Sequence, residues 1–472
     1  MPRRRIRVPA LDLRGLAVEL ELPDRFPEDV VAAAAIAARR PRLAPADHTG
    51  IPLATVDPPG SRDLDQAFHL APRPAGGWVV HYAIADVAAF VAAGDLVDLE
   101  ARRRGETLYL PDRRAPLHPP VLGERAMSLL PGRDRPAILW RIEVDGDGAA
   151  VDIDVRRAVV RSRAQLDYPT LQGQIDRGTA TEPVRLLAEL GKVRQARAEE
   201  AGAIDLGLPE QEVVRGPDGH WTLALRAQQP VERWNAHLSL LTGMAAATLM
   251  LGAGVGLLRT LPRPHEASVA RLQRAARGLG VDWPDGVPLS RVLHQVDQER
   301  PQHAAFVDLA AELLRGAGYT AFDGEPPALA EHAGVGGPYA HVTAPIRRLA
   351  DRFAGEVCVA VAAGRPVPSW ARSALAELPD VMARTDRRAA AVEHAVVGLA
   401  EAWLLVGRIG EVFDAAVVDV DPEHGGRRGT VVLADPAVRA RCDGDDLPLG
   451  ERIRARLVTA DIATRTVRFE AC

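Results

Sequence analysis

Apolar residues recur at three- and four-residue spacings through Glu28–Arg40, Glu232–Leu251, Ala267–Leu279, Ala304–Arg315 and Asp380–Val406, and each segment is predicted to be a helix. The first is an alanine-rich run flanked by proline, with high intrinsic helix propensity. Between these helices and the start of the chain the period is two. From Val79 the chain reads Val-Val-His-Tyr-Ala-Ile-Ala up to Asp86, and residues 46 to about 150 alternate short strands with turn residues before helical periodicity takes over. After Glu411, alternating runs return in Phe413–Asp421, Gly429–Leu433, Arg452–Val458 and Thr466–Glu470, separated by Gly, Asp and Pro. Roughly sixty residues of short strands suit a five-stranded barrel. Strands first, helices around them and a terminal barrel predict an α+β chain with a mixed α/β central domain.

A chain of 472 residues with 47% apolar and 26% charged residues is an ordinary globular composition, long enough for about two to four domains. The most apolar stretch, Leu238 to Leu258, is interrupted by Thr242, Gly243, Gly252, Gly254 and Gly256, so no membrane span is expected. The opening Met-Pro-Arg-Arg-Arg-Ile-Arg lacks the apolar core of a signal peptide. Cys358, Cys442 and Cys472 are scattered without C-x-x-C spacing, which suggests neither a zinc site nor a disulfide framework. A cytoplasmic location is expected, with no required protein partner evident.

Net charge of −5 and a pI near 6.3 exclude a protein that coats itself in nucleic acid through its whole surface. Positive charge is local instead. Lys192 is the only lysine, and arginines cluster at Arg3–Arg5, Arg102–Arg104, Arg113–Arg114 and Arg347–Arg348. A buried channel needs less net charge than an open groove.

Candidate chemistry concentrates in Asp57-Pro58-Pro59-Gly60-Ser61-Arg62-Asp63-Leu64-Asp65-Gln66. Two carboxylates about 4 Å apart repel by roughly 4 kcal/mol at an effective dielectric near 20, so three converging acids call for a hard cation or stay partly protonated. Oxygen ligands without His or Cys suit Mg²⁺ or Mn²⁺. A solvated turn is the alternative, because Asp, Pro, Gly and Ser are all turn formers.

The flanking motifs point to a family. His81-Tyr-Ala-Ile-Ala-Asp86-Val resembles the strand that follows the aspartate cluster in the RNB catalytic domain of the ribonuclease II and ribonuclease R family. Arg103-Arg104-Gly105-Glu106-Thr107-Leu108-Tyr109-Leu110-Pro111 resembles that family's R-R-G-T-S-x-Y-L-P, and Met127-Ser128-Leu129-Leu130-Pro131 its L-C-S-L-x-P. Tyr339-Ala-His341-Val-Thr343-Ala344-Pro345-Ile346-Arg347-Arg348-Leu-Ala-Asp351 matches its Y-x-H-x-T-S-P-I-R-R-x-x-D. The likeness covers roughly residues 45 to 405.

This resemblance implies an RNB catalytic domain over 46–405 and an OB-fold RNA-binding barrel over 406–472. Residues 1–45, too short for the two cold-shock barrels that commonly open the family, are expected to form an N-terminal arm or a small helical or winged-helix element. The implied activity is a 3′-to-5′ exoribonuclease that hydrolyses single-stranded RNA to nucleoside 5′-monophosphates. Asp57, Asp63, Asp65 and Gln66 would be the metal positions, Asp65 and Arg347 the catalytic ones, and Tyr109, Leu206, Arg348 and Glu393 the RNA contacts. Pro345 suits a first helical turn capped by Thr343 or Ala344, which places Arg347 where free amides favour phosphate.

Two departures stand out. Gln66 replaces an aspartate at the end of the family's D-x-D-D, which should weaken one of two metal positions. Leu206 stands where the family carries Phe. The alternatives are a degenerate RNB protein that binds RNA without cutting it, and an unrelated metal phosphoesterase acting on small molecules.

Overall fold

The computed structural model describes residues 13–472 apart from Asp24, 205–209, 216–220, Ala227, Asp285, 298–299, Arg315, 422–424 and 434–437. The helices are α1 (Leu13–Glu19), α2 (Glu28–Ala37), α3 (Leu96–Arg104), α4 (Tyr168–Asp176), α5 (Glu182–Glu200), α6 (Pro230–Ala253), α7 (Glu266–Gly278), α8 (Leu289–Gln295), α9 (Pro301–Ala311), α10 (Leu349–Ala362), α11 (Ser369–Ala374) and α12 (Leu378–Leu405). All five predicted helices form, with ends displaced by a few residues. Residues 13–45 hold α1 and α2 and, among the described residues, no strand.

Ahead of α4 lie β1 (Leu53–Asp57), β2 (Gln66–Pro72), β3 (Trp78–Ala85), β4 (Leu108–Tyr109), β5 (Arg114–Ala115), β6 (Asp134–Val144) and β7 (Ala150–Asp167). Strands β1, β2, β3, β6 and β7 close into a barrel in that order, with β1 meeting β7 in parallel register as Asp57 opposite Asp167. Barrel closure was not expected, and neither was a strand running past 150. Burial on both faces explains it: Val155 joins one core, Ala158 and Val160 join the core on the other face, and Arg156 stands exposed between them. On β2 and β3 both faces are covered. Phe68, Leu70, Val80, Tyr82 and Ile84 join one core, whereas Ala67, Ala83 and Ala85 join another.

Helix α6 runs unbroken through Thr242, Gly243 and Gly252, and by length and composition it and the segment Leu378–Arg408 could each cross a membrane. That corrects the expectation of no such run. Each glycine costs α6 only about 1 kcal/mol, and packing needs one of them: a Cβ at Gly243 would lie 2.2 Å from the Tyr339 ring. Leu238, Leu241, Ala245 and Met250 of α6 pack into the main core.

The strands Val412–Val420, Arg428–Leu433, Arg439–Asp443, Arg452–Asp461 and Thr466–Ala471 close a second barrel around Val417, Val431, Leu457 and Phe469. Leu399, Leu404 and Leu405 of α12 share that core. Arg465 forks onto Glu19 of α1 at 2.7 and 2.6 Å, tying the barrel to the first helix.

Candidate active site

Asp57 ends β1 and Asp65 precedes β2, so the acidic segment is the connection at one rim of the first barrel. Gly60 takes φ +85° in the turn, a region costly for side chains with a Cβ. The Met127–Pro131 motif fixes this loop. Ser128 Oγ accepts from Leu64 N at 2.9 Å and donates to the Arg62 carbonyl at 2.6 Å, while Leu129 N donates to the Leu64 carbonyl at 3.0 Å.

Asp65 is buried. Its Oδ1 accepts from Ile346 N and its Oδ2 from Arg347 Nε, each at 2.7 Å. The turn that carries Arg347 is also gripped by the Gly105–Thr107 segment: Thr107 N donates to the Arg347 carbonyl and Leu349 N to the Gly105 carbonyl, at 2.8 and 2.9 Å. Asp351 receives Ala344 N at 2.7 Å and a fork from Arg348 at 2.7 and 2.9 Å.

These contacts correct the placing of Arg347 in a first helical turn. Helix α10 starts at Leu349, after Arg348 in extended conformation. The amides of Ala344 and Ile346 are taken by Asp351 and Asp65, so the chain turns before it winds. Arg347 thus projects from a turn pinned by two carboxylates, and Ala344 needs no cap hydroxyl.

Arg347 and Arg348 line a cleft of about 570 Å³ together with Asp57, Gln66, Tyr109 and Tyr168. Tyr109 is 53% exposed and lies near enough to Arg347 to influence its charge. Asn235 Nδ2 donates to Tyr168 Oη at 3.1 Å on the opposite wall. A larger concavity of about 730 Å³ lies on the second barrel, lined by surface arginines and acids.

Burial dominates the electrostatics. It raises Asp57 to about 6 against the pull of Arg347, and Asp65 to about 7 against Arg347 and the Ile346 amide. Burial opposes charge on Arg347, but Asp65 and Tyr109 outweigh it and push its pKa up. Glu106, also in the cleft, is raised to about 7 by burial and then by Asp386.

The donor chemistry fits a hard cation at Asp57 and Asp65. Asp57 Oδ2 is buried with no partner among the described residues, and both acids bear the cost of desolvated charge that a cation relieves. The full expected set is not assembled. Among the described residues no three His, Cys, Asp or Glu side chains are grouped to hold a metal ion. Asp63 Oδ1 accepts from Arg114 at 2.6 Å, and Gln66 Oε1 accepts from the hydroxyls of Tyr82 and Ser239.

Cation binding should therefore depend on pH. Asp57 keeps its proton in the fold up to about pH 6, where the unfolded chain is already ionised, so this group favours the fold at low pH and opposes cation binding there. Mn²⁺ affinity should rise by up to about tenfold per pH unit for each proton displaced and flatten above about pH 7. Titration by electron paramagnetic resonance between about pH 5 and about pH 8 checks this, and a flat profile contradicts it.

Of the other sequence candidates, Arg348 reaches the cleft but is committed to Asp351. Glu393 is exposed on α12 and does not line the cleft. Leu206 lies outside the described residues. Sequence reasoning missed Glu106, Tyr168, Glu232, Asn235 and Ser239, all of which line the cleft. A signal for three of them was present: Glu232, Asn235 and Ser239 form a polar stripe at spacings of three and four in the apolar α6.

Compared with known proteins, residues 46–358 match the RNB domain, and residues 411–472 match the RNase II-type exonuclease C-terminal S1 domain. Ribonuclease R of Aquifex aeolicus is 28% identical over 458 residues, 88% of this chain and 63% of that protein. The chain spans between 33% and 63% of the length of the first curated relatives it matches. Mycoplasma genitalium RNase R, solved in complex with ribose methylated single-stranded RNA, superposes with a TM-score of 0.85 at 18% identity, covering 97% of this chain and 77% of its own. Yeast Ssd1, described as a pseudonuclease, gives 0.66 at 17% identity over 87% and 51%. At such identities these two show the fold.

Proposed function

Because the chain belongs to the RNB-domain family, we propose that it is a 3′-to-5′ exoribonuclease that hydrolyses single-stranded RNA to nucleoside 5′-monophosphates. The observation that carries this reading is the pairing of buried Asp65 with the cleft-lining Arg347, in the same cleft as Asp57, whose Oδ2 has no partner among the described residues.

Asp57 and Asp65 would hold Mg²⁺ or Mn²⁺, which when bound polarises a phosphoryl oxygen and lowers the pKa of water. The protein's own groups do the positioning. Asp65 uses both carboxylate oxygens to set the Ile346–Arg347 backbone and side chain, leaving other guanidinium N–H groups for the phosphate. Those donors offset negative charge on the phosphoryl oxygens as water adds to phosphorus and the bond to the 3′ oxygen breaks. The half-exposed Tyr109 ring offers a base a sequence-tolerant stacking surface.

A 5′-labelled single-stranded RNA incubated with Mg²⁺ should shorten from its 3′ end, and chelator should stop it. The second reading, an RNA binder without cleavage, draws on the neutral Gln66 and on the pseudonuclease that shares this fold. Binding without shortening would establish that reading instead.

The second barrel would contribute capture rather than chemistry. Arg441 and Arg452 are exposed on its strands and carry no ion pair among the described residues. Replacing both by Glu should weaken binding of long RNA and reduce the slope of log affinity against log salt by at least about 0.7 per arginine. Hydrolysis of short oligomers should be unchanged. An unaltered salt slope assigns these arginines no part in RNA capture.

A further inference from the structure

Gln66 opens β2 and lines the cleft next to Asp65, yet its carbonyl is already engaged. Oε1 accepts from Tyr82 Oη and, at 3.1 Å, from Ser239 Oγ, which are themselves 2.9 Å apart. Tyr82 is buried in the first barrel and Ser239 projects from α6, so two separate elements hold one amide oxygen. A carbonyl oxygen has two lone pairs, and two hydroxyls saturate them. The amide nitrogen of Gln66 has no partner among the described residues.

An amide fixed through its oxygen presents its N–H₂ group in a defined direction. A cation would be repelled by that end of the side chain, whereas an anionic oxygen would be attracted. The acids beside it cannot play this part, being acceptors when ionised.

We propose that Gln66 is a substrate-binding residue: its carbonyl is clamped by Tyr82 and Ser239, and its amide nitrogen donates to a non-bridging oxygen of the RNA phosphodiester. The inference rests on the cleft being the RNA site. It makes this chain a one-cation member of its family, with a neutral donor doing part of the charge stabilisation. No bond to Gln66 forms or breaks.

The test uses binding, so it does not depend on turnover. Single-stranded RNA carrying an Rp or an Sp phosphorothioate at its 3′-terminal linkage is bound to the full chain in chelator, and affinities are compared with the all-phosphate strand. Sulfur is the poorer acceptor, so one diastereomer should bind the native chain at least about threefold more weakly. In Gln66→Leu that difference should vanish. Gln66→Glu guards against misfolding, since its carboxylate still receives Tyr82 and Ser239 while the donor is replaced by an acceptor that carries a negative charge. It should also lose the difference, weaken the all-phosphate strand at least about tenfold, and raise the Mn²⁺ count from one to two per chain.

Equal affinities for all three strands in the native chain would overturn the proposal. So would an unchanged preference in Gln66→Glu, or two Mn²⁺ ions on the native chain. A native chain that shows the preference but never shortens RNA keeps this inference and refutes the nuclease reading.

Discussion

Arg347→Ala is expected to lower mononucleotide release by on the order of 10²- to 10³-fold, the loss typical of removing one preorganised donor from a developing oxyanion. Two effects combine. The phosphate loses its fork, and buried Asp65 keeps only the Ile346 amide as a partner. Removing one side of a buried pair costs about 3–5 kcal/mol in fully enclosed sites. Here the cost should be smaller, because the Arg347 side chain is 40% exposed and water can enter where it stood. Arg347→Lys keeps the charge but not the fork, and should recover only a fraction of the rate. Steady-state rates with short oligomers and thermal melting separate the two effects. A large drop in melting temperature with an unchanged rate per folded molecule would assign Arg347 to structure alone.

Asp65→Asn should lose at least ~10²-fold in rate while single-stranded RNA still binds. The asparagine oxygen can go on accepting from Ile346, but its nitrogen would face the Arg347 guanidinium, donor against donor. Arg347 would then leave its place, so this one change removes a carboxylate from the cation position and releases the phosphate-binding arginine. The double variant should be scarcely slower than the worse single one, because the two residues act as a unit. Simple multiplication of the two losses would show that they act independently. Loss of RNA binding by Asp65→Asn would show that Asp65 supports the cleft as a whole.

Much of this site was legible because its parts lie in short, ordered segments. The Asp57–Gln66 loop and the Thr343–Arg348 turn are remote in sequence, yet each carries a dense run of chemically distinctive residues. What was not legible was their mutual geometry. Whether Arg347 sits in a helix or before one depends on Asp65 and Asp351 capturing the amides of Ile346 and Ala344, a tertiary contact that local propensity cannot weigh. Likewise the acids read as three metal ligands, because nothing in sequence shows that Arg114 occupies Asp63. Gln66 could be recognised as a missing charge but not as a clamped amide, since Ser239 comes from a helix read only for its apolar stripe.

The fold followed the same division. Helices with one apolar stripe, such as α7 and α12, fell where the 3.6-residue period put them. Strand β7 escaped notice because charged residues interrupt its apolar positions on both faces, and closure of the first barrel depends on a parallel pairing between residues about a hundred positions apart.

Release of nucleoside 5′-monophosphates from 3′-labelled single-stranded RNA in Mg²⁺ measures the central claim most directly, with native chain, Asp65→Asn and Arg347→Ala run in parallel. The account predicts steady mononucleotide release by the native chain, abolished by chelator and reduced at least ~10²-fold in both variants. Equal release by all three proteins, or none by a native chain that binds the RNA, would contradict it.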